Sequence, residues 1–290
     1  MNNSSYRGRF APSPTGPLHF GSLVTALASF LEARSQVGQW FIRLEDLDPL
    51  REPPEATGQI LASVDAHGLF PDEPVRFQSR RHDAYQAAID QLLESGYAYR
   101  CQCSRKELQA HGGRHPHQCR SGKAIDGDRP YAIRFALEDE DCHWRDQLLG
   151  PQHQTVRAEL DDPVILRKEG FYAYQLAVVV DDIDQGITDV VRGSDLLDMT
   201  AQQQQIYRAL GAHPPRWLHI PVILNEHGQK LSKQTHAPAL NDERPVDNLF
   251  EALVALGQNP PSELATGSLE SLLEWGRENW HRGAIHLTSR

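Results

Sequence analysis

A proline-rich segment near the N-terminus restricts the fold of this chain more than any other feature. The apolar run Tyr6–Phe10 can end a buried strand, and an apolar-periodic helix is predicted to begin near Phe20 and to extend past Leu31. Three prolines between them fix the backbone dihedral φ in the turn. A rigid loop between a strand and a helix N-terminus is typical of nucleotide-binding α/β folds, because free backbone N–H groups and the helix dipole favour an anion there.

This segment also contains a short His-x-Gly motif. His19 offers an imidazole donor to phosphate oxygens, and Gly21 lacks a Cβ, so an adenine or ribose ring could lie against its backbone. A proline-rich turn with a surface histidine is the alternative interpretation of so short a motif. A second polar loop, Gly228–Gln234, has two lysines three positions apart and follows the apolar segment Trp217–Leu224. The two segments together favour a binding site.

Length, charge and hydropathy limit the class of protein. A chain of 290 residues can form one large domain or two smaller ones, each with its own core. No stretch approaches the roughly 18 apolar residues of a membrane span, and the N-terminus lacks the features of a signal peptide. We therefore expect a cytoplasmic protein. The formal net charge of -10 argues against indiscriminate nucleic-acid binding, so any RNA contact must be local.

Short apolar runs alternate with helical segments from Tyr6 to about Arg100, which implies a parallel sheet. Ligands of such sheets lie beyond the carboxyl ends of the strands, so the proline-rich loop and the acidic segment Arg43–Asp48 should face one crevice. A solvated acidic turn that ends in a helix cap at Asp48 is the alternative for the second segment. The predicted elements are strands at Trp40–Leu44 and Val75–Phe77 and helices at Gly58–Leu69 and His82–Ser95.

Three of the four cysteines fall between positions 101 and 119, and two of the histidines in that stretch, His115 and His117, lie near the last cysteine. Three thiols and one imidazole suit a tetrahedral, structural zinc ion, one per chain, better than disulfides in a reducing compartment. Unrelated free thiols are the alternative. The candidate ligands are Cys101, Cys103, Cys119 and either His115 or His117.

Basic residues surround these cysteines. Such a cluster is usually a solvated face, but in an otherwise acidic chain it favours a local RNA contact. The cluster consists of Arg105, Lys106, Arg114, Arg120 and Lys123.

A second strand-and-helix region begins near Phe171. Ser194 or Asp195 can cap the helix that follows its second strand. The predicted elements are a strand that runs into a loop or helix at Tyr172–Asp182, a strand at Gly186–Gly193, and helices at Met199–Leu210, Val246–Leu256 and Leu269–Trp280.

The two loop motifs resemble the two signatures of the class I aminoacyl-tRNA synthetases. The long first segment Arg9–Gly16, together with Arg43–Asp48 and Arg51, is similar to the glutamyl-tRNA synthetase branch, and the resemblance extends from Tyr6 to about Ala239. It implies an α/β fold with a Rossmann-like parallel-sheet domain, an inserted zinc-bearing acceptor-type domain and a short helical C-terminal region. The implied boundaries are 1–100 and 167–240 for the two catalytic halves, 101–166 for the insertion and 241–290 for the C-terminal region.

The resemblance further implies that ATP, with Mg²⁺, activates glutamate as glutamyl-adenylate, and that an RNA hydroxyl then accepts the glutamyl group. The implied catalytic residues are His19, Gly21, Lys230 and Lys233. The implied glutamate contacts are Arg9, Ala11, Ser13, Glu45, Tyr174 and Arg192. The implied ATP contacts are Pro12, His19, Gly21, Ser22, Lys230, Ser232 and Lys233.

One position departs from the pattern of the glutamyl branch, and another selects between the two candidate histidine ligands. A family asparagine falls on Val178, so one polar contact to the substrate or the RNA is in doubt. Zinc-bearing relatives place their fourth ligand four residues before the last cysteine, where some have tyrosine, and that position is His115.

Only about fifty residues follow Ala239, fewer than the helical region with which a glutamyl-tRNA synthetase grips the anticodon. This combination resembles a truncated member of the branch that attaches glutamate to queuosine in the anticodon loop of tRNA(Asp). The cis-diol of queuosine resembles the terminal ribose diol, so a similar hydroxyl can enter the same site. We expect the anticodon arm of tRNA(Asp) as partner and a monomeric protein.

Two other functions stay open on the sequence. A small-molecule nucleotidyltransferase also uses a His-x-Gly motif, but it would not need the lysine loop or the zinc ligands. A non-catalytic RNA-binding or regulatory paralogue should have lost His19, Gly21, Lys230 or Lys233, and the chain retains all four.

Overall fold

The computed structural model describes residues 5–112, 115–116, 118–121, 126–127, 129–224, 228–229, 231 and 237–286. Among the helices described, none has the length and apolar character needed to cross a lipid bilayer.

The first half of the chain forms the predicted parallel sheet. Its three strands pair in the order β1-β2-β3, and the proline-rich loop leads from β1 into α1 as expected. The predicted elements are confirmed to within three residues at each end. They are β1 (Arg7–Phe10), α1 (Phe20–Ser35), β2 (Gln39–Leu44), α2 (Ala56–Ala66), β3 (Arg76–Phe77) and α3 (His82–Glu94).

An antiparallel region follows. Its three-stranded sheet has the order β4-β5-β8, and β6 pairs with β7 as a hairpin. Ser104 caps the short helix α4 in a capping box with Glu107, which fixes the chain just after the second cysteine. The elements are β4 (Ala98–Cys101), α4 (Arg105–Ala110), β5 (Ala132–Phe135), β6 (Asp141–Asp146), β7 (Gly150–Thr155), α5 (Val156–Glu159) and β8 (Val164–Leu166).

A second pair of parallel strands follows the antiparallel region. The strands β9 (Asp189–Gly193) and β10 (Arg216–Ile220) are parallel, and the Thr188 amide donates to the Arg7 carbonyl at 3.0 Å, so the pair lies beside β1. The helix α7 (Thr200–Ala209) follows a 3₁₀ turn, Ser194–Met199, and has no side-chain cap. The prediction of a cap by Ser194 or Asp195 is therefore wrong.

The prediction for 172–182, a strand that runs into a loop or helix, is wrong in its strand, because the helix α6 (Tyr174–Asp184) already begins at the third residue of the segment. Its valines favour a strand by intrinsic propensity. However, Leu176, Ala177 and Val179 are fully buried, and tertiary burial outweighs the small propensity difference between helix and strand. The helix carries Asp182 into the protein interior, where two arginines contact it.

The C-terminal helices α8 (Pro245–Ala255) and α9 (Leu269–Asn279) match the predicted helices and pack against α1. A Cβ on Gly276 would lie 3.3 Å from the Leu31 side chain, so glycine permits the close approach of α9. The Trp280 indole donates to the buried Glu32 carboxylate at 2.6 Å. These contacts hold the helix that begins at the proline-rich loop.

Candidate active site and metal cluster

A cavity of about 590 Å³ lies at the carboxyl ends of β1, β2 and β9. The loops after the first two strands are joined there, because the Glu45 amide donates to the Pro12 carbonyl at 3.0 Å. All the described residues that the resemblance implied as glutamate or ATP contacts line this one cavity. They are Arg9, Ala11, Pro12, Ser13, His19, Gly21, Ser22, Glu45, Tyr174 and Arg192.

The implied lysine loop is only partly described. Lys230, Ser232 and Lys233 lie outside the described residues, so their roles stay predictions. Leu231 is described, lines the cavity, and donates its amide to the Ile223 carbonyl at 2.8 Å. The loop thus returns to the cavity wall at that residue.

His19 occupies the N-cap position of α1. Its Nδ1 accepts a hydrogen bond from the Ser22 amide at 3.1 Å, so the neutral ring carries its proton on Nε2. A Cβ on Gly21 would lie only 3.3 Å from the imidazole ring, and its absence gives the ring room beside the cavity. His19 Nε2 lies 3.1 Å from Ser22 Oγ, so the imidazole N–H and the Ser22 hydroxyl together present donors at a helix N-terminus, an arrangement suited to a phosphate oxygen.

Arg9 is held from behind by a buried carboxylate. Its Nε lies 3.1 Å from Asp182 Oδ1, and Asp182 also accepts from Arg43 Nη1 at 2.7 Å and from the Tyr207 hydroxyl at 3.1 Å. Burial raises the pKa of Asp182, but the two guanidinium groups outweigh burial and hold that pKa below its ordinary value. The ionised Asp182 fixes the Nε edge of the Arg9 guanidinium, and Arg9 lines the cavity.

Arg192 is a buried cation whose hydrogen-bond partners are all neutral groups. Its side chain is only 4% exposed. It donates hydrogen bonds to His219 Nε2 at 2.9 Å, Gln203 Oε1 at 2.7 Å, Thr200 Oγ1 at 2.9 Å and the Leu196 carbonyl at 3.2 Å. Within the described part of the chain, no carboxylate lies within ion-pair distance of this guanidinium. A buried charge without a counter-ion favours an anionic ligand.

Glu45 lines the same cavity as Arg9 and Arg192, and its Oε1 lies 3.7 Å from Arg43 Nη2. Burial raises its pKa to about 7, although Arg43 and Arg9 oppose the shift. Its Oε1 atom is buried and has no hydrogen-bond partner among the described residues. The carboxylate is therefore available to a cationic group that enters the cavity.

Sequence reasoning missed three buried residues behind this wall. Asp182 was visible only as the end of an apolar run, and Asp146 and His219 lie in unremarkable strand segments 73 positions apart. Two consecutive aspartates after seven largely apolar residues were the one available signal for Asp182. Val178, by contrast, is buried in the core of α6 and does not line the cavity, so its replacement of asparagine removes no group from the wall.

The cysteines form a compact cluster with His115. The ligand atoms of Cys101, Cys103, His115 and Cys119 all lie within 4.8 Å of one another, whereas His117 lies outside the described residues. His115 Nε2 is 3.2 Å from the Cys101 sulfur, and the Cys103 and Cys119 sulfurs are 3.6 Å apart. Zinc bonds of about 2.3 Å to sulfur and 2.0 Å to nitrogen put tetrahedral ligand atoms about 3.5 to 3.8 Å apart, so the donors fit a metal ion.

A hydrogen-bonded chain orients His115 toward the sulfurs. The Tyr99 hydroxyl donates to Asp162 at 2.6 Å and lies 3.1 Å from His115 Nδ1, so it accepts the Nδ1 proton. That arrangement puts the lone pair on Nε2, beside the Cys101 and Cys103 sulfurs, where it can ligate a metal, and such outer contacts typically fix the orientation of a ligand histidine.

These contacts change the interpretation of the predicted basic cluster. Arg120 donates to both carboxylate oxygens of Asp162 and to the Leu137 carbonyl, so its charge is already paired beside the metal cluster. Arg105 and Lys106 are exposed on α4, and Arg114 and Lys123 lie outside the described residues.

The family description that matches residues 5–260 is "tRNA synthetases class I (E and Q), catalytic domain". The chain belongs to this family. It is an aminoacyl-tRNA synthetase-type ligase with the class I fold, and the resemblance drawn from the two loop motifs is confirmed.

Curated class I relatives match over nearly their full length. The chain is 46% identical to a protein of Vibrio vulnificus named glutamyl-Q tRNA(Asp) synthetase, and the match covers 100% of this chain and 96% of the relative. A protein of the same name from Chromobacterium violaceum is 48% identical, with 97% and 95% covered.

Solved structures of class I synthetases have the same fold. A glutamate tRNA ligase from Elizabethkingia meningosepticum, in complex with its amino acid, superposes with a TM-score of 0.81 and 27% identity. The match covers 99% of this chain and 66% of that chain. This chain therefore spans about two thirds of the length of the solved ligase.

Proposed function

We propose that the protein activates L-glutamate with ATP and transfers the glutamyl group to the queuosine base in the anticodon loop of tRNA(Asp). One observation carries the amino-acid specificity. The cavity presents Arg9 and Arg192 as buried cations and Glu45 as a buried carboxyl group whose Oε1 accepts no hydrogen bond among the described residues and lies 3.7 Å from Arg43 Nη2. Two cations and one anion complement the two carboxylates and the ammonium group of glutamate.

The activation step needs no protein nucleophile. The glutamate α-carboxylate attacks the α-phosphorus of ATP, the bond to pyrophosphate breaks, and glutamyl-adenylate forms. His19 donates to a phosphate oxygen through Nε2, and we assign Lys230, Ser232 and Lys233 to the same phosphates. Mg²⁺ would enter with ATP and neutralise the pyrophosphate charge. Arg9, Arg192 and Glu45 hold the amino acid so that its carboxylate faces the phosphorus.

The acceptor is inferred from the names of the curated relatives, both glutamyl-Q tRNA(Asp) synthetases. A hydroxyl of the queuosine diol would attack the acyl carbon and release AMP. We assign residues 1–100 and 167–240 to the catalytic halves, 101–166 to an inserted metal-bearing domain, and 241–290 to a C-terminal helical region. A monomer acting on the anticodon arm in the cytoplasm completes the proposal.

An exchange assay tests the activation step. Purified protein is incubated with ATP and labelled pyrophosphate, with and without L-glutamate. We expect label in ATP only when glutamate is present, with glutamine as the control substrate because it lacks the second carboxylate. Exchange that is independent of glutamate would favour a small-molecule nucleotidyltransferase, and no exchange with any amino acid would favour a non-catalytic paralogue.

We expect glutamate binding to weaken as the pH falls below about 7. The pKa of Glu45 lies near 7, so protonation at lower pH removes the partner of the substrate ammonium group. The KM for glutamate should rise by up to about tenfold per pH unit between pH 7 and 5.5, while the KM for ATP changes little. The Glu45→Gln variant should bind weakly at every pH, and an unchanged wild-type pH profile in that variant would contradict the assignment.

The same pKa has a consequence for stability. Because the folded-state pKa of Glu45 is raised above its ordinary 4.5, its contribution to stability is fully present below pH 4.5 and is lost as the pH rises through about 7. Glu45→Gln should therefore gain stability relative to wild type across that window.

We expect about one zinc ion per chain, bound by the three cysteines and His115. Cys103→Ser should release the metal and lower the unfolding temperature, because metal-binding energy is folding energy in such sites. Tyr99→Phe should keep the fold but bind zinc about 10- to 100-fold more weakly. Chelator competition measures both affinities, with Tyr131→Phe as a surface control. Metal-free wild-type protein that unfolds at an unchanged temperature would refute the assignment.

Exposed basic residues of α4 should affect RNA transfer without affecting activation. Arg105→Glu is expected to lower glutamyl transfer to tRNA. The slope of the logarithm of the binding constant against the logarithm of the salt concentration should fall by the equivalent of about one phosphate contact. Pyrophosphate exchange should stay near normal. Arg277→Glu reverses a charge on the exposed side of α9 and serves as the matched control. Equal losses in both variants would show a general charge effect instead of an RNA contact.

A further inference from the structure

A buried hydrogen-bonded chain lies behind Arg192. Asp146 Oδ2 lies 2.6 Å from His219 Nδ1, and His219 Nε2 lies 2.9 Å from Arg192 Nε. Asp146 is 1% exposed and His219 is 0% exposed, and neither residue lines the cavity. The chain thus runs from the hairpin strand β6 through β10 to a cavity residue on β9.

Only one arrangement of protons satisfies this chain. Arg192 Nε–H is always a donor, so His219 must accept it through Nε2 and carry its own proton on Nδ1. Asp146 accepts that proton. Its other oxygen accepts from the Leu148 and Leu149 amides at 2.9 Å each, which fixes the carboxylate.

The imidazole is held neutral in this position. Burial lowers the pKa of His219, the bond to Asp146 opposes that shift, and the Arg192 charge reinforces it. Burial alone would raise the pKa of Asp146. The hydrogen bonds from His219, Leu149 and Leu148 outweigh burial and hold that pKa below its ordinary value. A neutral ring therefore separates an ionised carboxylate from a guanidinium.

We propose that Asp146 and His219 are positioning residues that fix the plane of the Arg192 guanidinium toward the carboxylate of the amino-acid substrate. The inference rests on the proposed function. A guanidinium is planar, so the bond at Nε, together with the three Nη bonds to Gln203, Thr200 and Leu196, sets the direction of the remaining Nη1 N–H. Asp146 offsets part of the buried charge of Arg192 without touching it, and the substrate supplies the direct anionic partner.

The decisive variant is Asp146→Asn. The amide oxygen should stay with the Leu148 and Leu149 N–H groups, so the amide NH₂ replaces Oδ2, which faces His219 Nδ1 and, at 3.2 Å, the His219 backbone amide. This donor forces the imidazole proton onto Nε2, where it opposes the Arg192 Nε–H; a wrong tautomer of this kind strongly impairs a serine protease triad. We expect the KM for glutamate to rise about 10- to 100-fold, the value of one hydrogen bond to a charged group. The KM for ATP should change by less than about twofold, because the interaction lost is specific to amino-acid binding.

Histidine variants keep the test decisive if Asp146→Asn folds poorly. His219→Gln retains an oxygen acceptor for Arg192, whereas His219→Leu does not, so glutamine should restore most of the glutamate affinity that leucine loses. His67→Leu is the matched control, because His67 is also fully buried and hydrogen-bonded but lies outside the cavity wall. Nitrogen-15 NMR of labelled histidine, with His219→Gln to assign the signal, should show the Nδ1–H tautomer in wild type and its loss in Asp146→Asn.

The outcomes separate the two proposals. A folded Asp146→Asn or His219→Leu variant with an unchanged KM for glutamate would overturn the inference while leaving the function intact. Equal rises in His219→Leu and His67→Leu would assign His219 a purely structural role and also overturn it. Absence of glutamate-dependent exchange in the wild type would refute the proposed function, and the inference with it.

Discussion

Arg192→Met is expected to raise the KM for glutamate by two orders of magnitude or more. Removing one partner of a buried charge pair costs about 3 to 5 kcal/mol, because the remaining charge is left without compensation in a dry site. In the complex that remaining charge is the substrate carboxylate. Among the described residues Arg192 directly contacts no carboxylate, and Asp146 keeps its hydrogen bonds to His219, Leu148 and Leu149 in the variant, so the variant should still fold.

The measurement is pyrophosphate exchange at varied glutamate and at varied ATP. The KM for ATP should stay near the wild-type value. Arg134→Met provides a control for the loss of a buried arginine, because Arg134 is 7% exposed and binds Asp161 far from the cavity lining. If Arg192→Met binds glutamate normally, or if the control loses as much affinity, Arg192 does not hold the substrate carboxylate.

His19 variants are expected to lower kcat for adenylate formation about 10²- to 10³-fold, the usual effect of removing one donor to a developing oxyanion. His19→Ala should also lose about 1 kcal/mol of stability, because the imidazole accepts the Ser22 amide at the N-cap. His19→Asn separates the two roles. Asparagine is a good N-cap residue but cannot place a donor where Nε2 lies.

Single-turnover adenylate formation and thermal unfolding together read out this prediction. Both variants should form adenylate slowly, and only His19→Ala should unfold at a lower temperature than wild type. Normal turnover in His19→Asn would show that His19 acts only as a helix cap.

Local signals explain why much of the fold could be predicted. Prolines after Phe10 and alternating apolar runs identify β1, α1 and β2 without any tertiary information, and the cavity follows because parallel strands end at one edge. The same reasoning failed at α6. A short run of apolar, β-branched residues is ambiguous by periodicity, and burial on all sides decides its conformation.

Long-range pairing explains most of what the sequence could not reveal. Asp146 and His219 meet across 73 positions, and Asp182 meets Arg43 across 139, so no local pattern indicates either contact. Arg120 illustrates the opposite error. It looked like a member of a free basic cluster until its partner, Asp162, was placed beside it. Composition can count charges, but it cannot show which are already paired.

The central claim is that glutamate is transferred to queuosine of tRNA(Asp), and transfer of radiolabelled glutamate to defined RNAs tests it most directly. Four RNAs are compared: tRNA(Asp) with queuosine, the same tRNA without queuosine, its isolated anticodon arm with queuosine, and tRNA(Glu). Labelling is predicted for the queuosine-containing tRNA(Asp) and its anticodon arm, and it should vanish when periodate cleaves the diol before the reaction. Efficient charging of tRNA(Glu), or labelling of tRNA(Asp) that survives loss of the diol, would contradict the account.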